Sequence, residues 1–158
     1  MHYLIRFIVE AQDAKEANSH AECVMNQLIE QHEFDWYSSE ADDSRWEECW
    51  KPVQLQSKKG QALVEDAMRG QLAEFSLAMD TILFMCKVYS DEDIFNEKFE
   101  QVEGHYLSRY QFSVASGYHA NACYLFDTHG SPITNQVSLA QYLENWDGLW
   151  VVQVDCHN

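Results

Sequence analysis

Two triplets of the same form, Asp127-Thr128-His129 and Asp155-Cys156-His157, are the residues of this chain best suited by type and spacing to do chemistry. In each, an acid and an imidazole stand two positions apart, and the two-residue period of an extended segment puts both on one face. If the two segments run side by side, Asp127, His129, Asp155 and His157 bring together two carboxylates and two imidazoles. That mixed oxygen and nitrogen set suits a divalent transition metal such as Zn, Mn or Fe, or acid–base work. No motif demands a cofactor, and a divalent transition metal is the one that these residues would take. The competing reading is plainer: D-x-H is a short pattern, His129 falls in a turn and His157 stands next to last, both ordinary places for polar side chains.

Cysteine chemistry has less to stand on. Cys156 adjoins His157, but neighbouring residues of a strand point to opposite faces and do not pair as nucleophile and base. Cys123 lies four residues after His119, yet Gly117 and the strand that follows argue against the helix needed to align them. The five cysteines are an odd set without C-x-x-C spacing, and read as small buried hydrophobes in a reducing compartment, without disulfides. Glycine-rich phosphate loops, G-x-S-x-G, H-E-x-x-H and EF-hand patterns are absent, which disfavours the common nucleotide-dependent enzymes and hydrolases.

Charge is the dominant compositional fact. The 158 residues carry a formal charge of −16, and two stretches hold most of it: residues 33–48, with seven acids and one base, and residues 91–103, with six and one. Such a field repels phosphate backbones and anionic lipid and attracts basic protein faces. Ten Lys and Arg, never clustered beyond Lys58-Lys59, argue against direct binding to nucleic acid. In the first stretch Trp36, Trp46 and Trp50 are interleaved with Asp42, Asp43, Glu47 and Glu48, and large aromatics beside charge are typical of interaction hot spots. The alternative is that the rings fold back over an end of the sheet. Three causes compete for the acidity: a surface that docks on a basic protein, as a nucleic-acid mimic does in a DNA-binding groove; a salt-loving host; and ordinary solvation of helix and loop faces. Glu exceeding Asp and Lys exceeding Arg weigh against the second.

The elements that must position these groups follow from periodicity. Residues 2–9 alternate with two largely apolar faces and predict a strand. Asp13 and Glu16 open an amphipathic helix over about 14–31, with Ala17, Ala21, Val24 and Leu28 at helical spacing. A short strand, an acidic loop and an edge strand are predicted between Phe34 and Gln56. A long helix runs from about Lys58 to Tyr89, its stripe at Met68, Leu72, Phe75, Met79, Ile82, Cys86 and Tyr89 repeating in steps of four and three. Ser90 caps a next helix, with Phe95, Phe99, Val102 and Tyr106 as its stripe, and the two form an antiparallel hairpin over about 58–112. Residues 122–127 predict a strand, 128–132 a turn with a short return at Ile133 and Thr134, Ser138 and Gln141 a capping box, and 149–156 a strand apolar on both faces.

The fold class expected is α+β: one domain over residues 1–158, with a mixed or antiparallel sheet of four to six strands, the first and last strands at its centre and helices on one face. No apolar run approaches the ~18 residues of a membrane span, and the N-terminus has neither signal nor transit character, so residence in the cytoplasm is expected. The expected activity is non-catalytic: contact with a basic protein surface, or self-association through the stripe at 68–89. A small metal-dependent enzyme built on the two D-x-H triplets is the rival.

Overall fold

In the computed structural model, which describes residues 2–100, 107–116, 123–144 and 147–157, the two doubly apolar segments pair with each other. Strand β1 (His2–Glu10) and the last strand, β5 (Leu149–His157), run antiparallel along their whole lengths, from His2 opposite His157 to Glu10 opposite Leu149. Three short strands complete a mixed five-stranded sheet: β2 (Trp36–Tyr37) and β3 (Val53–Gln54) lie antiparallel against the outer side of β5, and β4 (Leu125–Phe126) lies parallel to β1. The first and last strands are therefore central, as their composition predicts, and the fold is α+β.

Helices cover both faces of this sheet, where the sequence reading puts them on one. Helix α1 (Ala14–Glu30) buries Ala17, Ala21, Val24, Met25 and Leu28 against Ile5, Phe7, Val9, Val152 and Val154. Ile8, Leu149 and Val151 face the other way, onto Val64, Ala67 and Met68 of α2 (Lys58–Val88) and Leu139 of α5 (Gln136–Tyr142). The reason lies in β1 and β5 themselves: a strand apolar on both faces needs both faces dry. Local chemistry sets the helix starts. Asp13 accepts from the amides of Lys15 and Glu16, Ser57 from Gly60, and Asn135 from Val137 and Ser138. Ser138 thus stands three residues inside α5 as the reciprocal member of the box, with Asn135 as the cap. The inward stripe of α2 is Gly60, Val64, Ala67, Gln71, Ala78, Thr81 and Met85, with Met68 beside it as the one residue of the predicted stripe that is buried. The predicted stripe at 68–89 is rotated about 100° from it, one residue's turn of a helix, and Leu72 and Phe75 remain exposed.

The helical hairpin is shorter than expected. After α2 the Ser90 cap opens only α3 (Asp91–Phe95), and Glu97, at φ 52°, turns the chain out of the helix. Phe99 then lies edge-on to Tyr89 at 5.3 Å instead of continuing a stripe; Val102 and Tyr106 lie outside the described residues. The return onto α2 is α4 (Tyr110–Ser116), where Val114 packs on Ala78. The strand expected over 122–127 is reduced to Leu125–Phe126 because the Tyr124 amide bonds to the Gln71 side chain at 2.8 Å; residue 122 lies outside the described residues. The return at Ile133 forms, its amide donating to the Leu125 carbonyl at 2.9 Å. Among the described residues no helix is long and apolar enough to cross a membrane.

Candidate functional site

The acidic, tryptophan-bearing segment is an interruption of one edge strand. Residues 36–37 and 53–54 pair with opposite ends of β5, and between them the Ser38 amide donates to the Asp155 carbonyl and the Trp50 amide to the Gln153 carbonyl. The chain leaves the sheet at Ser38, forms a loop, and rejoins it at Trp50. Asp155 fixes this loop from beneath. Its carboxylate is fully buried, accepts from the Arg45 amide at 2.9 Å, lies 2.9 Å from His2 Nδ1, and has the Ser44 hydroxyl at 3.4 Å. Charge-assisted bonds of this kind are the stronger ones.

Trp50 closes the neck. Its Nε1 donates to the Ser38 carbonyl at 2.6 Å, Asn18 donates to its carbonyl at 3.0 Å, and its ring lies 6.0 Å from that of Tyr37. It sits at φ 56°, a conformation that bulky residues hold only where surroundings over-determine it. Trp50 thus packs on the core at the neck of the loop while remaining partly exposed. Trp46 is half-buried, and Trp36 is 47% exposed, its ring edge-on to His2 at 5.9 Å. Asp42, Asp43, Glu47 and Glu48 are exposed on the loop, and Glu48 pairs with Lys59, which holds its carboxyl below the usual range. Half of the acids in the second stretch have a local role: Asp91, Glu92 and Asp93 fill the first turn of α3, where negative charge suits the helix dipole.

The two D-x-H triplets do not meet. Phe126 stands opposite Phe7, which puts Asp127 level with Ile8, whereas Asp155 stands opposite Leu4 on the far side of β1. Two strand spacings across and four residues along separate them by roughly 16 Å, against metal–ligand bonds of about 2 Å. Asp127 instead caps its own turn, accepting from the amides of His129 and Ser131 at 2.8 Å each. His129 is exposed, and His157 stacks edge-on to His2 at 5.4 Å with Asp35 at 3.8 Å. Among the described residues no group of three or more His, Cys, Asp or Glu is placed to hold a metal. Burial pushes the Cys123 thiol up to about 12, and raises those of Cys49 and Cys156 too, which keeps all three protonated and poor nucleophiles.

Sequence reasoning missed Arg6, a buried cation on the α2 face of β1. Its guanidinium donates to the Leu4 carbonyl at 3.0 Å and to Asp66 at 2.6 Å. Desolvation lowers its pKa, and Asp66 acts against that. The alternation of β1 does place Arg6 on one face with Leu4 and Ile8, but nothing in the sequence signals the pairing with Asp66. A family profile matches this chain over residues 1–158, that of Domain of unknown function (DUF7995). The chain belongs to the DUF7995 family. No curated protein and no solved structure matches this family member.

Proposed function

We propose that this DUF7995 protein acts without catalysis, docking a rigid acidic loop and the adjoining Trp36 on a basic face of another protein, such as the groove of a nucleic-acid-binding protein. The observation that supports this reading is the anchoring of the loop. A fully buried carboxylate, Asp155, holds the loop backbone, so the acids are displayed on a pre-ordered frame and little ordering entropy remains to be lost on binding. Trp36 adds a large apolar anchor beside charge. The free state of all five cysteines fits residence in a reducing compartment such as the cytoplasm.

The test is titration with a lysine-rich peptide, read by tryptophan fluorescence. Neutralising the loop with Asp42→Asn, Asp43→Asn, Glu47→Gln and Glu48→Gln is expected to weaken binding by at least about tenfold more than neutralising four exposed acids elsewhere, Glu22→Gln, Glu30→Gln, Glu65→Gln and Asp80→Asn. Equal losses from the two sets would show that only net charge matters and would sink the proposal.

A second reading, self-association, is favoured by the outer face of α2, where Leu72 and Leu83 are 63% and 61% exposed and Phe75 45%. Covering each would add about 1–2 kcal/mol. Copies carrying −16 each repel at low salt, so a dimer should strengthen as salt rises while docking on a basic partner weakens. Sizing by light scattering at about 0.05 and 0.5 M salt distinguishes the two.

A further inference from the structure

A cleft of about 680 Å³ opens between the start of β1, the middle of α2 and α4. At one end lie two of the chain's ten basic residues. Arg6 is buried there, its guanidinium donating to the Leu4 carbonyl and to Asp66. Arg69, exposed at the rim, shares Asp66 with it at 3.2 Å, so two guanidinium groups meet one carboxylate and leave an excess positive charge in a strongly negative chain. At the other end the Glu74 carboxylate accepts from the Tyr124 hydroxyl at 3.3 Å. The walls also include Tyr3, Leu4, Leu77 and the Tyr124 ring. Gly70 admits that ring: a Cβ there would stand 3.2 Å from it.

We infer that this cleft binds a short peptide with free termini, two or three residues long, its carboxylate at Arg6 and Arg69 and its ammonium at Glu74. The spacing selects the class. Along α2, Arg69 precedes Glu74 by five residues, an axial rise of about 7.5 Å at ~1.5 Å per residue. An extended chain advances ~3.3–3.6 Å per residue, so a di- or tripeptide spans about 7–11 Å, whereas the two charges of a single amino acid sit within about 3 Å and reach only one end. Charge selects it too. A net anion is repelled by the field of the whole molecule, and a net cation meets two arginines, while a zwitterion satisfies both ends. Apolar side chains suit the tyrosine and leucine walls. This inference does not depend on the acidic loop.

Isothermal titration calorimetry of the intact chain with Leu-Phe and Leu-Ala-Phe, each also in N-acetylated and C-amidated form, provides the test. At least one free peptide is expected to bind with a Kd between about 10 μM and 1 mM, with each blocked form at least about tenfold weaker. Glu74→Gln should erase the preference for the free amine, and Arg69→Gln the preference for the free carboxylate. Arg69 is exposed and Glu74 half-buried, and circular dichroism checks that both variants fold. No binding of either free peptide up to about 5 mM, equal affinity for free and blocked forms, or unchanged preferences in both variants would each overturn the inference.

Discussion

Removing the Asp155 carboxylate should release the acidic loop and cost the whole fold. The side chain is fully buried and has two good hydrogen bonds, to the Arg45 amide and His2 Nδ1 at 2.9 Å each, with the Ser44 hydroxyl at 3.4 Å contributing little. Bonds to a charged group are worth about 1.5–3 kcal/mol each. His2 is partly exposed and the loop can rehydrate, which favours the lower half of the sum, so Asp155→Ala is expected to destabilise by about 3–4 kcal/mol. For a chain of this length each kcal/mol lowers Tm by about 2–4 °C, giving a fall of about 6–16 °C. Asp155→Asn keeps an acceptor for the Arg45 amide and should lose about half as much. Thermal unfolding by circular dichroism measures both, and limited trypsin digestion reads the loop directly, because Arg45 becomes cleavable once its backbone is no longer held. A Tm drop below about 2 °C for the alanine variant, or cleavage at Arg45 no faster than in the parent, would refute the reasoning that this carboxylate anchors the loop.

Other outcomes follow from the same contacts. Gly60→Ala places a Cβ 2.3 Å from the Gln54 carbonyl, so although alanine is the better helix former by about 1 kcal/mol, the clash is expected to dominate and destabilise by about 1–3 kcal/mol in urea titration. Asn135→Ala removes the cap of α5 and should lower stability by about 1 kcal/mol, a Tm loss of about 2–4 °C by calorimetry. Burial pushes the Tyr124 and Tyr142 phenols from 10.0 up to about 12 and the Cys123 thiol from 9.0 to about 12. The native state therefore holds protons that the unfolded chain releases. The stability from this source is intact below pH 9 and falls between pH 9 and 12, and an alkaline denaturation series with Tyr142→Phe should show a shallower decline.

Much of the frame was legible because it rests on local rules. The two-residue alternation of β1 and β5, the Asp13 cap of α1 and the start of α2 near Lys58 each depend on neighbours in the chain, and each appears within a residue or two of its expected place. What escaped is decided by tertiary contact. The buried side of α2 was set by Gly60, Ala67 and Ala78, whose small side chains let neighbours approach closely, so the larger stripe was left outward. Helices on both faces are implied by the doubly apolar strands β1 and β5, each of which needs both sides dry. Within the loop, the exposure of Trp36 and the four acids accords with their polar surroundings in the sequence, whereas the place of Trp50 at the neck shows only beside Ser38. The pairing of the D-x-H triplets failed on strand order: β1 stands between β4 and β5, and the triplets fall at different levels along it.

The points where the chain departs from and rejoins β5, Ser38 and Trp50, bond to carbonyls only two residues apart on that strand, at Asp155 and Gln153. Whatever is spliced between two such fixed posts leaves the register of the sheet alone, and doubling its length adds only about 0.6 kcal/mol of closure entropy. Related chains are thus at liberty to exchange, lengthen or recharge this insert and so acquire new binding preferences, while the scaffold beneath goes on folding as before.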